Sequence, residues 1–214
     1  MQERICVFVD GGNFYHLALK KLGIEPFNFK FDSLVEHLAA GREVNQQCKR
    51  YYTGTVREKL GDQSSVESMS KQTRLFTNLK EGGWEIKTSK LRKRTEEVTV
   101  DRRTKNYEKL LSIGVEKIEF ERWREKGIDV KIATDLIAGA LDNKYDTATI
   151  ISSDADLIPA IDWIRNRFNK KVEYVGFSIA DAKEPCKSTK PLLSMISKTD
   201  LQRVLTEEEL KRFI

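Results

Sequence analysis

Arg4-Ile5-Cys6-Val7-Phe8-Val9-Asp10, followed at once by Gly11-Gly12-Asn13, is the stretch that decides the fold. An unbroken apolar run from Ile5 to Val9 describes a strand covered on both faces, as in a parallel sheet between helices. The strand ends in an acid, Asp10, and the glycine pair makes the turn. Phe14 to Leu22 then carries Leu17, Ala18 and Leu22 at helical spacing, and Gly23 closes that helix.

Working outward, the same alternation recurs. Asp32 is expected to cap a helix running to about Ala40. Cys48 to Val56 reads as a strand, Ser64 to Lys80 as a polar helix closed by Gly82-Gly83, and Trp84 starts a third strand. Val130 to Asp142 reads as a helix, Thr147 to Ser152 as a buried strand, Asp154 opens another helix, and Lys171 to Gly176 is the last clear strand. Strands alternating with helices predict an α/β fold with a parallel sheet, whose functional groove lies at the carboxyl ends of the strands. Length suits a single domain over 1–214. Two stretches depart from the rhythm. About 89–123 is dense in charge and reads as an inserted basic hairpin, and about 190–214 reads as a short helical segment.

Hydrophobic residues make up 39% of the chain and charged residues 33%, enough apolar matter for a core and not the composition of a disordered tail. The apolar runs are strand-length, well short of the roughly 20 residues a membrane helix needs. The N-terminus passes straight into a strand pattern, so no secretory signal and no membrane partner are expected. Cys6, Cys48 and Cys186 are far apart, with no metal spacing and no disulfide framework, which fits reduced thiols in a cytoplasm. A homodimer stays open. The net charge of +5 favours a polyanionic partner only mildly; its placement says more. Lys87, Lys90, Arg92, Lys93, Arg94, Arg102, Arg103 and Lys105 face three acids between them, an excess equal to that of the whole chain.

Acids gather at the same rim. Asp10 ends the first strand; Asp154 and Asp156 follow Ser152-Ser153 after another; Asp129 and Asp135 lie at the entrance and first half of the preceding helix. Each has a plain structural alternative. Asp129 and Asp154 suit helix caps, Asp10 an Asx-turn, and Asp135 a solvated acid near a helix start. Asn13 is placed equally well to hold Asp10 or to cap the first helix. Together, five carboxylates on one rim would repel one another unless a cation neutralised them, and oxygen-only donors suit Mg²⁺ or Mn²⁺. Paired divalent ions activate water for phosphodiester hydrolysis. Asp142 and Asp146 read as ordinary turn acids.

Val9-Asp10-Gly11-Gly12-Asn13, Lys126-Gly127-Ile128-Asp129-Val130, Asp135-Leu136-Ile137-Ala138 and Ser152-Ser153-Asp154-Ala155-Asp156-Leu157, in that order, resemble the NYN domain family in its LabA-like branch, within the PIN-like nuclease superfamily. The resemblance covers roughly Arg4 to Phe177, apart from the inserted stretch. It implies a three-layer Rossmann-like fold and metal-dependent ribonuclease activity on RNA. It further implies that Asp10, Asp135 and Asp154 are primary ligands of Mg²⁺ or Mn²⁺, that Asp156 and Asp129 complete the pocket, and that Asn13 supports Asp10. Ser153, Ala155 and Leu157 stand where the family often has Gly, Ser and Phe.

The eight basic residues from Lys87 to Lys105 would track an RNA backbone; the plain alternative is a hairpin kept soluble by charge. Arg50 and Tyr51 join a base to a ring able to stack on an unpaired nucleobase, although alternation along a strand sends one of Tyr51 and Tyr52 into the core. Other readings are a non-catalytic RNA-binding module and a small-molecule phosphohydrolase or nucleotide binder. The last lacks an Asp-x-Asp strand end, a G-x-G-x-x-G turn and a Walker A loop.

Overall fold

A computed structural model describes residues 2–56, 62–90, 92–124, 127–181 and 184–214; the side chains of Gln46, Arg92, Lys93, Trp123 and Arg124, like Lys126, lie outside that description. The opening run forms β1 (Arg4–Asp10), buried from Ile5 onward. It continues without a loop into α1 (Gly11–Phe14) and a wider turn of helix at Tyr15–Leu19. Gly11 is required there, because a Cβ would collide with the Tyr51 ring.

The chain then builds α2 (Phe31–Ala39), β2 (Glu43–Thr55), α3 (Gln63–Glu81) and β3 (Glu85–Lys90). Asp62 caps α3 by accepting from the Ser64 and Ser65 amides. Asp32, expected as a cap, sits inside the first turn of α2 and is used by Lys49 and the Trp84 indole at 2.8 and 3.0 Å. The basic stretch forms β4 (Arg92–Thr99), α4 (Tyr107–Ser112) and β5 (Lys117–Arg124), with β4 and β5 antiparallel in a two-stranded sheet of their own. Then follow α5 (Ile128–Leu141), β6 (Thr147–Ile151), α6 (Ile158–Phe168), β7 (Lys171–Ser178), α7 (Leu193–Lys198), β8 (Leu201–Thr206) and α8 (Glu207–Leu210).

The main sheet has the order β3-β2-β1-β6-β7-β8, and every neighbouring pair is parallel. The segment read as helical near the C-terminus holds two short helices, α7 and α8, and supplies the sixth strand, β8, between them. β8 escapes a reading by apolar runs because it is an edge strand that buries only Leu205.

Side chains alternate between two cores, which makes three layers. Ile5, Val7 and Val9 pack with Phe14, Leu34, Leu38, Leu75 and Leu79 on one face; Cys6 and Phe8 pack with Ile132, Leu136, Ile161 and Ile164 on the other. Burying each large apolar side chain contributes roughly 1.5–3 kcal/mol against conformational entropy. Because β1 is covered on both faces, its register is strongly specified, and its carboxyl end is fixed beside that of β6.

Candidate active site

Strand order reverses direction between β1 and β6, since β2 and β3 lie to one side and β7 and β8 to the other. At such a switch the loops leaving the carboxyl ends diverge and open a crevice. Asp10 and the Ser152–Asp156 segment stand there.

Asp10 is nearly buried, at 7% exposure. Its Oδ1 accepts from the Asn13 amide at 2.9 Å, capping α1, and its Oδ2 accepts from Ser152 Oγ at 3.2 Å. Asn13 uses its side chain elsewhere: Oδ1 accepts from the Ser153 amide at 2.9 Å. The two roles open for Asn13 therefore resolve into a third. Its main chain holds Asp10, and its side chain ties the loop after β6 to the loop after β1. The Asp154 amide also donates to Ser152 Oγ at 3.2 Å, so one hydroxyl links Asp10 to the Asp154 segment. Asp154 Oδ1 accepts from the Asp156 amide at 2.9 Å and so caps the turn that leads into α6.

Asp129 lies in the first turn of α5, after Gly127, whose φ of 87° suits a residue without Cβ. Burial, then the charges of Asp154 and Asp156, raise its carboxyl above the usual value. Asp129, Asp154 and Asp156 are therefore close enough to sense one another. Among the described residues no ion pair reaches any of these three.

Asp135 is placed differently. Its Oδ2 accepts from the Tyr52 hydroxyl at 2.7 Å, and Lys87 Nζ stands 2.9 Å from Oδ1 and 2.8 Å from Oδ2. Burial, then that hydrogen bond, raises the Tyr52 phenol and keeps it a donor. A lysine thus already answers the charge of Asp135. Carboxylate oxygens at this rim suit a hard divalent cation. Yet among the described residues no three His, Cys, Asp or Glu are gathered so as to hold a metal ion. The expected set of Asp10, Asp135, Asp154 and Asp156 is not assembled as one group in this arrangement.

The expected RNA contacts separate into four kinds. Lys90, Arg94, Arg102 and Lys105 are exposed, and so is Arg103, which holds Asp101 at 2.6 Å. Arg92 and Lys93 are in β4, with side chains outside the description. Lys87 is engaged with Asp135, as above. Tyr51 is a correction: it is 2% exposed, packed edge-on against Phe31 and Trp84 above Gly11, so no nucleobase can reach its ring. Tyr52 is buried too; a strand inside the sheet sends both tyrosines into cores, one on each face. Arg50 is buried rather than presented on the surface.

Sequence reasoning missed Ser152 and Tyr52. Ser152 stood inside a quoted motif, and its signal was a hydroxyl as the last residue of an apolar strand, level with Asp10. No signal announced that Tyr52 would reach across to α5.

The model of the NYN domain family matches residues 4–195. No curated protein matches. Among solved structures, that of a protein of unknown function from Vibrio parahaemolyticus RIMD 2210633 is 18% identical, covers 95% of this chain and 93% of that chain, and superposes with a TM-score of 0.50. At that identity the likeness concerns the fold alone. Among the described residues no helix is long and apolar enough to cross a membrane.

Proposed function

Because the chain belongs to the NYN domain family, and through it to the PIN-like nuclease superfamily, we propose that it is a metal-dependent ribonuclease, nearest the LabA-like branch, that hydrolyses RNA in a reducing, cytoplasmic setting. The observation that carries this reading is the pairing of Asp10 with the Asp154 segment through Ser152, at the point where strand order reverses.

In hydrolysis the oxygen of water bonds to phosphorus, one ester P–O bond breaks, and the departing alkoxide takes up a proton. Asp10, fixed from two sides by Asn13 and Ser152, is held to orient a water rather than to wander. Asp129, Asp154 and Asp156 supply the negative charge that would recruit Mg²⁺ or Mn²⁺. When bound, such an ion lowers the pKa of water and offsets charge on the phosphoryl group. The exposed bases of the β4–β5 hairpin would hold the RNA backbone without regard to sequence.

The test is a labelled single-stranded RNA incubated with Mn²⁺ or Mg²⁺. Cutting is expected, EDTA should abolish it, and Asp10→Asn should stop it while leaving RNA binding intact. A second reading, an RNA-binding module without turnover, draws on the Lys87–Asp135 pair and on the ungathered acids. It wins if wild type and Asp10→Asn both bind RNA and show equal, negligible cutting.

A further inference from the structure

On the face of the sheet covered by α5, toward the amino ends of the strands from the acidic rim, a cavity of about 500 Å³ opens between β2, β3 and α5, with Asp135 and Glu85 in its wall. That volume is in the range of pockets that take a small ligand. Three cations line it: Arg50 from β2, Lys87 from β3 and Lys144 from the turn after α5. Lys131 lies close by, donating to the Thr88 carbonyl one residue beyond Lys87.

Arg50 is the unusual member. It is 5% exposed, yet its contacts are long: 3.2 Å from Nε to Glu85, 3.7 Å to the Asp135 carboxylate, 3.4 Å to the Gln47 carbonyl and 3.5 Å to the Asp135 carbonyl. Two other arginines, Arg4 of β1 and Arg42 just before β2, show the alternative. Arg4 grips Asp146 at 2.7 and 3.1 Å, and Arg42 grips Glu173 at 2.5 and 3.1 Å. Charge-assisted bonds at full strength are short and forked, and Arg50 makes none of that kind. Arg50 is held in place by stacking instead, 5.5 Å above the Phe8 ring. Its nearest counter-ion, Glu85, is 44% exposed at the side chain and able to swing into solvent.

A planar guanidinium held by long contacts in a cavity wall, with two lysines in the same lining beside Glu85 and Asp135, is the chemistry that recognises phosphate. We propose that this cavity seats one phosphate of a single-stranded RNA, away from the bond that is cut, with Arg50 as the anchoring donor and Lys87 and Lys144 completing the seat. The proposal rests on the ribonuclease reading, because RNA is the phosphate-bearing ligand that reading brings to this domain. It also gives the Lys87–Asp135 pair a role: an arriving phosphate competes with Asp135 for Lys87. The phosphate is either a 5′-terminal monoester or a backbone diester, and the two share this chemistry.

The experiment measures affinity in EDTA, so that no cutting intervenes, by fluorescence anisotropy of an oligouridylate of about twelve nucleotides, with and without a 5′-phosphate. Arg50→Gln should weaken binding about tenfold and Lys144→Glu several-fold, each reducing the salt slope by about one. Loss confined to the 5′-phosphorylated strand identifies the terminal monoester; equal loss on both strands identifies the backbone. Lys144 is 41% exposed, so Lys144→Glu decides the matter even if Arg50→Gln fails to fold. Unchanged affinity and slope in Lys144→Glu and in any folded Arg50→Gln overturn the seat while leaving the nuclease reading standing. No RNA binding by the wild type overturns both.

Discussion

β1 and β6 lie side by side, and their two ends treat acidic side chains in opposite ways. At the amino end, Asp146 receives a fork from Arg4 and the Arg4 amide at 2.9 Å, and its carboxyl is held down at about 2 by that hydrogen bonding. In the amino half of β7, Glu173 is 5% exposed and gripped by Arg42, with Thr149 Oγ at 3.3 Å. At the carboxyl end, Asp10 rests on a serine hydroxyl and a main-chain amide, and Asp129 is raised by burial and by its acidic neighbours. One end spends acids on clamping the sheet. The other keeps like charges close together, which raises the Asp129 carboxyl and lowers stability. Clamped acids thus lie toward the amino ends of β6 and β7, and mutually repelling ones at the carboxyl end, and the contrast can be broken by experiment.

The largest effect should come from the carboxyl end. Asp154→Asn keeps the shape of the turn cap but removes a charge, and cleavage of labelled RNA in Mn²⁺ should fall about a thousandfold, or about 4 kcal/mol of transition-state stabilisation. Thermal unfolding in metal-free buffer should scarcely move. Next comes the amino half. Glu173→Gln leaves Arg42 and Arg203 without their buried carboxylate, and unfolding free energy should drop by about 2–3 kcal/mol, measured in urea. Its cleavage rate per folded molecule should equal that of wild type. A Glu173 variant that folds normally and cuts poorly would erase the distinction between the two ends.

How far this was legible in the sequence follows from the range of each interaction. β1 and β6 were plain, because full burial on both faces leaves an unbroken apolar signature. β8 was not, because an edge strand that buries only Leu205 looks like a polar loop. The acids Asp10, Asp129, Asp154 and Asp156 were legible as strand ends and helix starts. Their partners were not. Ser152 and Asn13 join segments some 140 residues apart, and Lys87 takes Asp135 across 48. Periodicity reports which face a residue takes, not which distant side chain it meets. The same limit misplaced Tyr51 as a stacking ring: a central strand presents neither face to solvent. Asp146 read as a turn acid, and nothing local reveals that Arg4 would close on it.

The two smallest predicted effects have opposite signs, and they test the comparison most directly. Asp146 has a lowered carboxyl, so its contribution is present above the unfolded value of about 3.9 and fades as pH falls toward 2. The side chain is 42% exposed, and solvent screening keeps that contribution small. Asp146→Asn should lose about 0.5–1 kcal/mol at pH 7, with the difference closing near pH 2. Asp129 runs the other way. Its raised carboxyl means that the folded state keeps the proton longer than the unfolded chain does. In strong acid both states hold it and nothing is lost. As pH climbs past the ordinary carboxylate value the unfolded chain ionises first, so stability falls until the folded carboxyl ionises as well, and the penalty then stays constant. Asp129→Asn removes that penalty. In EDTA at pH 7 it should gain about 0.5 kcal/mol, a rise in Tm of about 1–2 °C, and near pH 3 it should gain nothing. The same variant should cut RNA more slowly than wild type. A loss of stability at pH 7 would make Asp129 a helix-start acid stabilised like any other, and the carboxyl end would then differ from the amino end in position only.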